Sequence, residues 1–130
     1  MDKGDDLAGL RVLIVEDEFL LAMELETLVE RGGCTTVGPA SSVCQALALI
    51  NGEQPDIALL DVNLKGERAT PVAAALQARG VPYVLITGYS TAQLSEPELR
   101  GAPRLDKPVN CHALTRAVKH VLEGAESSPS

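Results

Sequence analysis

Apolar residues along the chain follow two alternating patterns, which predict five pairs of a strand and a helix. Strand-like runs, the longest of them rich in branched aliphatic residues, lie at 10–15, 34–38, 56–61, 83–87 and 104–106. The stretches between them predict helices at 17–30, 43–52, from 70 onward, at 91–94 and at 111–122. Strict alternation of this kind predicts one parallel sheet with helices on both faces and right-handed crossovers.

Polar residues mark where two of these helices begin. Either Ser41 or Ser42 is expected to cap the second helix, because a serine oxygen can accept a hydrogen bond from an amide of the first turn. Thr70 is expected to cap the third helix, with Pro71 in its first turn.

The length and composition of the chain favour one α/β domain. A chain of 130 residues can bury a single core, and with no Trp, one Phe and two Tyr that core must consist of Val, Leu, Ile and Ala. We expect a flexible N-terminus over 1–8, one folded domain over 9–123 and a disordered tail over 124–130.

The charge and the cysteine pattern exclude several classes of function. A formal net charge of −7 argues against a nucleic-acid-binding surface. No apolar run reaches the roughly 20 residues of a membrane span, and the first residues lack the apolar core of a signal peptide, so a cytoplasmic protein is predicted. The three cysteines and two histidines show neither a disulfide framework nor a zinc-ligand spacing.

Polar side chains follow four of the five predicted strands at the point where each strand ends. Glu16 and Asp17 follow the first strand, Asp61 ends the third, Thr87 ends the fourth and Lys107 follows the fifth. Because the carboxyl ends of parallel strands meet at one edge, these side chains are expected to share a crevice where a ligand binds. Two carboxylates about 4 Å apart repel by roughly 4 kcal/mol at an effective dielectric constant near 20.

A divalent cation would relieve that repulsion, and oxygen ligands of this kind suit Mg²⁺. We expect Asp17 and Asp61 to be its direct side-chain ligands, Glu16 to act through water and the backbone carbonyl of Asn63 to complete the protein ligands. One oxygen of Asp61 could hold the metal while the other attacks phosphorus to form an aspartyl phosphate.

Phosphoryl transfer depends mainly on positioning and on neutralising negative charge. The ammonium group of Lys107 would supply positive charge in addition to Mg²⁺. Thr87 would offer its hydroxyl to a phosphoryl oxygen.

Four segments together resemble the receiver domain of two-component response regulators: VLIVEDE, LLDVNLKGE, LITGYS and LDKPV, in this order and spacing. The resemblance extends over about residues 9–123. It implies a flavodoxin-like, doubly wound sheet of five parallel strands in the order 2-1-3-4-5, as in CheY.

The resemblance also implies a role for each residue of the crevice. Glu16 and Asp17 correspond to the acidic pair of the family, Asp61 to the phosphoacceptor, Thr87 to the switch hydroxyl and Lys107 to the characteristic lysine.

Finer features of the resemblance concern the signalling surface. The segment PYVLITGY is similar to the FATGUY subgroup, which includes many stand-alone receivers, and the family usually has a cis bond at Lys107–Pro108. Arg104 stands where typical receivers carry Tyr or Phe, so this chain departs from the usual aromatic switch at that position. We therefore expect Tyr89 to take over part of the signalling or to gate access to Asp61, or else to be only an exposed loop aromatic.

These features predict a single-domain response regulator. A histidine kinase or a histidine phosphotransfer protein would phosphorylate Asp61, and the modified surface would contact a downstream protein. The chain would not be an enzyme beyond supporting its own phosphorylation and slow autodephosphorylation. Alternatives are a phosphate sink in a phosphorelay and an interaction module that works without phosphorylation, and formation of a weak homodimer stays open.

Two enzyme-like or cofactor-binding alternatives rank lower. A phosphatase with an aspartyl phosphate intermediate would carry an acid two residues after Asp61, where this chain has Asn63. A flavin-binding protein would carry a phosphate-binding loop after the first strand, where the acidic sequence EDEF would repel phosphate.

Overall fold

A computed structural model describes residues 9–64, 66–87, 97–100, 102–107 and 109–127. Its helices are α1 Phe19–Arg31, α2 Val43–Glu53, α3 Thr70–Ala78, α4 Pro97–Arg100 and α5 Cys111–Ser127. Its strands are β1 Arg11–Val15, β2 Thr35–Ala40, β3 Ile57–Asp61, β4 Asn63–Leu64, β5 Glu67–Arg68, β6 Tyr83–Thr87 and β7 Arg104–Asp106.

The main sheet contains, within the described residues, five parallel strands in the order β2-β1-β3-β6-β7. If only these five strands are counted along the chain, the order is 2-1-3-4-5, so the predicted flavodoxin-like fold class is confirmed. The strand order reverses between β1 and β3, which is where open α/β sheets form a ligand crevice at the carboxyl ends of the strands.

The apolar core has two layers, one on each face of the sheet. Leu13 and Leu60 face one layer, which is completed by α2, α3 and α4. Ile14 and Leu59 face the other layer, which is completed by α1 and α5. Adjacent residues of a strand point to opposite faces, so the continuous aliphatic runs of β1 and β3 supply both layers at once. The helices thereby cover both faces of the sheet.

The starts of α2 and α3 differ in how well they were predicted. Ser42 is the cap of α2, and its side-chain oxygen accepts a hydrogen bond from the Gln45 amide at 3.2 Å. The prediction that Thr70 caps α3 is wrong, because Ala69 holds the cap position and Thr70 is already helical. Ala69 is fully buried and its amide donates to the Val62 carbonyl at 2.9 Å, which fixes the chain just before the helix begins.

Other boundaries differ by a few residues. β2 extends through Pro39 to Ala40, and its pairing with β1 shifts register between Leu13 and Val15, a strand irregularity of the kind at which proline is found. α5 continues to Ser127, past the predicted end at Leu122. The predicted short helix at 91–94 and the segment 1–8 lie outside the described residues. In the part of the chain that is described, no helix is both long and apolar enough to cross a bilayer.

Candidate functional site

Three carboxylates meet at the carboxyl edge of the sheet. β1 pairs with β3, so Glu16, directly after β1, lies beside Asp61 at the end of β3. Glu16, Asp17 and Asp61 each offer one carboxylate oxygen, and these three atoms lie within 4.8 Å of one another. Among the residues that the structure describes, this is the one group of at least three potential metal ligands. The predicted convergence of strand ends therefore brings these acids together.

Lys107 lies between two of these carboxylates. Its Nζ atom is 3.7 Å from Oε1 of Glu16 and 3.7 Å from Oδ2 of Asp61. The backbone holds this lysine in place, because its amide donates to the carbonyl of Thr87 at 3.0 Å. That bond continues the pairing of β6 with β7 by one residue. The short strand β7 thus places the positively charged side chain of Lys107 beside the acidic cluster.

Glu16 is the most buried member of the cluster, with 2% of the residue exposed. Burial raises the pKa of its carboxyl from 4.5 to about 7, and the neighbouring charge of Asp61 adds to this effect. The Glu18 amide, which donates to Oε2 at 3.0 Å, and the Lys107 ammonium both oppose the rise in pKa. The other oxygen, Oε1, is buried and accepts no hydrogen bond from the described residues.

These features fit a hard divalent cation. An oxygen without a hydrogen-bond donor and a carboxyl with a raised pKa both indicate negative charge that the described protein groups do not fully compensate. The donor set consists of oxygen atoms only, which suits Mg²⁺, Ca²⁺ or Mn²⁺ and not zinc in a sulfur-rich site. The backbone of Asn63 lies in β4, two residues after Asp61, and the role of its carbonyl as a ligand stays a prediction.

Thr87 ends β6 beside the acidic cluster. Asp61 pairs with Ile86, so Thr87 lies one residue beyond that pair at the same edge of the sheet. The residue is buried, with 2% exposed. The role of its hydroxyl toward a group attached to Asp61 stays a prediction.

Two predicted signalling residues lie away from this cluster or outside the described part. Arg104 is half-buried and pairs with Leu85, two residues before Thr87, so it lies further from the carboxyl edge than Lys107 does. Its Nη2 atom donates to the carbonyl of Ala102 at 3.4 Å. Tyr89 and the proline of the Lys107–Pro108 bond lie outside the described residues.

A small hairpin directly after Asp61 was not predicted. β4 and β5 pair in antiparallel fashion, and Gly66, with φ of +83°, lies in the turn between them. Leu64 and Val62 are buried in the core, which anchors the loop that follows Asp61. Each strand of this hairpin has two residues, which is too short to show an alternation of apolar and polar residues. The sequence signal that could have indicated the hairpin was the apolar Leu64 close to a turn that contains a glycine.

The start of α1 presents apolar side chains to solvent next to the cluster. Phe19 and Leu20 are 73% and 74% exposed, and Met23 is 48% exposed. Leu20 and Met23 line an open groove with Val109, which follows β7. Of the apolar residues that repeat at helical spacing in this segment, α1 buries Leu21 and Leu25 and leaves Leu20 exposed.

Comparisons with known proteins agree with this geometry. The family model of the response regulator receiver domain matches residues 12–119. A positive alginate biosynthesis regulatory protein of Pseudomonas aeruginosa is 36% identical over 114 residues, which cover 85% of this chain and 46% of that protein. The chain spans about half the length of the curated relatives it matches.

Solved structures show the same likeness. The solution structure of SdrG from Sphingomonas melonis Fr1 is 42% identical with a TM-score of 0.77, covering 89% of this chain and 97% of that one. The receiver domain of the PhyR response regulator from Erythrobacter litoralis is 29% identical with a TM-score of 0.82, covering 95% and 96% of the two chains.

Proposed function

This chain belongs to the response regulator receiver domain family, and on that premise we propose that it accepts a phosphoryl group on Asp61 in a Mg²⁺-dependent reaction. The donor is a histidine kinase or a histidine phosphotransfer protein, and the phosphorylated chain signals by contact with a downstream protein. The observation that carries the proposal is the distance of 3.7 Å between Lys107 Nζ and Asp61 Oδ2, beside two further carboxylates.

The chemistry requires a carboxylate nucleophile and compensation of negative charge. An oxygen of Asp61 attacks the phosphorus of a phosphohistidine, the phosphorus–nitrogen bond breaks, and its electron pair leaves with the imidazole nitrogen. Asp17 and Asp61, with Glu16 through water and the Asn63 carbonyl, would hold Mg²⁺, which would supply positive charge to the phosphoryl oxygens. Lys107, which follows β7 at the same edge of the sheet, contributes a second positive charge.

The switch begins at Thr87. Its hydroxyl donates to a phosphoryl oxygen on Asp61, and Thr87 moves toward that oxygen. The hydrogen bond between the Thr87 carbonyl and the Lys107 amide transmits this movement of Thr87 to β7. Phosphorylation shifts an existing equilibrium because the phosphoryl group interacts differently with the two states. In this proposal Arg104 and Tyr89 take the place of the usual aromatic switch residue. A receiver of this kind accepts a phosphoryl group and is not an enzyme in the ordinary sense.

The experiment is incubation of the chain with acetyl phosphate and Mg²⁺, followed by intact-mass measurement. We expect the mass of one phosphoryl group to be added, and to be absent from Asp61→Asn. Asp106→Asn is the matched control, because Asp106 is an exposed carboxylate that lies near Lys107 in sequence and outside the acidic cluster. Phosphorylation that survives Asp61→Asn, or no phosphorylation of the unchanged chain, contradicts the proposal.

A further inference from the structure

The hairpin of β4 and β5 returns a basic residue to the neighbourhood of Asp61. β4 begins at Asn63, two residues after Asp61, and Asn63 pairs with Arg68 of β5. Two residues of chain span at most about 7 Å, and partners across an antiparallel pair lie about 5 Å apart at their Cα atoms. The gap between the Arg68 backbone and the Asp61 carboxylate is therefore one that a long arginine side chain can cross.

The packing of neighbouring residues sets the side of the loop on which Arg68 lies. Asp61 stands between Leu60 and Val62, which are both buried in the core layer completed by α2, α3 and α4. Arg68 directly precedes Ala69, which is fully buried in the same layer and whose amide donates to the Val62 carbonyl at 2.9 Å. Adjacent residues of extended chain point to opposite sides, so Asp61 and Arg68 both point away from that layer.

Arg68 also differs from Lys107 in its exposure. Lys107 is half-buried, with its Nζ atom 3.7 Å from Asp61, whereas Arg68 is exposed. Glu16 and Asp61 are buried, so a phosphoryl donor that arrives from solvent reaches the level of Arg68 before it reaches these carboxylates. The two cations thus come to the cluster from different elements, the lysine after β7 and the arginine from β5.

The charge of the cluster gives a second cation a purpose. When Glu16, Asp17 and Asp61 are all ionised, Lys107 and a bound Mg²⁺ would together balance them. A phosphoryl group on Asp61 adds nearly two further negative charges. A guanidinium group suits this excess, because its fork of N–H donors can bind two phosphoryl oxygens at once.

We propose that Arg68 is a phosphate-binding residue of this site. Its guanidinium donates to oxygens of the phosphoryl group, first on the incoming donor and then on Asp61, and takes no part in the exchange of bonds. It stabilises negative charge during the transfer and holds the group afterwards. The inference rests on the proposed phosphorylation of Asp61 and adds to it a residue that the sequence pattern does not indicate.

The first test compares rates of phosphorylation by acetyl phosphate with Mg²⁺. We expect Arg68→Gln to react about tenfold more slowly than the unchanged chain, because charge-assisted hydrogen bonds to the phosphoryl group are lost. Arg68→Lys should recover part of the rate, since lysine keeps the charge but not the fork of donors.

Two control variants separate this effect from a change in overall charge or in the hairpin. Arg79→Gln removes the same charge from an exposed arginine, but Arg79 follows the far end of α3, and its rate should stay within about twofold at physiological salt. Glu67→Gln alters the neighbouring exposed residue of β5, which pairs with Leu64, and should not slow the reaction.

The second test measures binding without group transfer. Beryllofluoride imitates the phosphoryl group on Asp61, and its affinity in the presence of Mg²⁺ is measured by NMR titration of the isotope-labelled chain. We expect an affinity about tenfold lower for Arg68→Gln than for Arg79→Gln. The side-chain Nε–H resonance of Arg68, identified by its absence from Arg68→Lys, should shift when beryllofluoride binds the unchanged chain.

The outcomes distinguish this inference from the proposed function. Equal rates and equal beryllofluoride affinities for Arg68→Gln and Arg79→Gln would overturn the inference while Asp61 remained the phosphoacceptor. Loss of stability in urea for Arg68→Gln, with an unchanged rate and affinity, would assign Arg68 to folding and overturn the inference as well. No phosphorylation of the unchanged chain, or phosphorylation that survives Asp61→Asn, would instead contradict the proposed function together with the role of Arg68.

Discussion

The Nζ atom of Lys107 lies 3.7 Å from the buried oxygen Oε1 of Glu16, an oxygen that accepts no hydrogen bond from the described residues. The same ammonium lies 3.7 Å from Asp61, so one positive charge serves two carboxylates. An ion pair with a half-buried lysine compensates such charge only in part. The cluster could therefore hold an additional cation, and the stability of the folded chain should depend on the charges of Glu16, Asp61 and Lys107.

Replacement of Lys107 by Ala should destabilise the folded chain at neutral pH. The change removes the ammonium between Glu16 and Asp61, and we expect a loss of about 1 kcal/mol, moderated by the partial exposure of the lysine. Urea unfolding at pH 7.5 with EDTA measures the difference. Lys119→Ala is the control for a half-exposed lysine elsewhere, and equal losses in the two variants would show that the position beside the carboxylates is unimportant.

Asp61→Asn should stabilise the folded chain in the absence of divalent metal. The variant removes one of three negative charges in the cluster, and we expect a gain on the order of 1–3 kcal/mol in the free energy of unfolding. The gain should shrink when Mg²⁺ is added, because the metal stabilises the unchanged chain more than the variant.

Asp106→Asn provides the comparison for Asp61→Asn. Asp106 is exposed, so its replacement should alter stability by no more than about 0.5 kcal/mol. A loss of stability in Asp61→Asn, measured by urea unfolding with EDTA, would mean that the three carboxylates do not repel one another appreciably.

The stability of the metal-free chain should fall as pH rises from 4.5 to above 7. Burial gives Glu16 a folded-state pKa of about 7 against an ordinary value of 4.5, so the folded chain binds more protons than the unfolded chain between these limits. The contribution is present below pH 4.5 and is lost as pH rises through 7, with a ceiling of about 3 kcal/mol.

The pH effect is assigned to its residue by Glu16→Gln. This variant cannot titrate at that position, so its unfolding free energy, measured in urea with EDTA, should vary less between pH 5 and pH 8 than that of the unchanged chain. Parallel pH profiles for the two proteins would rule out Glu16 as the source. Added Mg²⁺ should stabilise the unchanged chain more at pH 8 than at pH 5.5, because metal and proton compete for the carboxylate.

The sequence predicted the fold and the acidic cluster from one regularity, that strands of a parallel sheet end at a common edge. Glu16, Asp61 and Lys107 are far apart in sequence but each directly follows or ends a strand, so strand order alone brings them together. The burial of Glu16 could not be predicted in this way, because it depends on how tightly the surrounding segments close over one side chain.

Features set by packing across the fold were missed. Thr70 has the side chain of a cap, but the bond between Ala69 and Val62 fixes where α3 begins. Leu20 fits a helical apolar pattern and is nevertheless exposed, because α1 turns Leu21 and Leu25 to the sheet.

The hairpin after Asp61 should depend on one buried leucine. Leu64 is fully buried in the core beneath that loop, so Leu64→Ala should destabilise the chain by about 2–4 kcal/mol through lost burial and the cavity left behind. Leu20→Ala is the matched control, because Leu20 is 74% exposed and its truncation should change stability by less than about 1 kcal/mol.

Urea unfolding measures both, and the rate of phosphorylation by acetyl phosphate at a temperature where both variants are folded measures the effect on the site. We expect Leu64→Ala to be phosphorylated more slowly than Leu20→Ala, because the anchored loop contains Asn63, whose carbonyl is a predicted metal ligand. Equal rates would show that the anchor serves folding only.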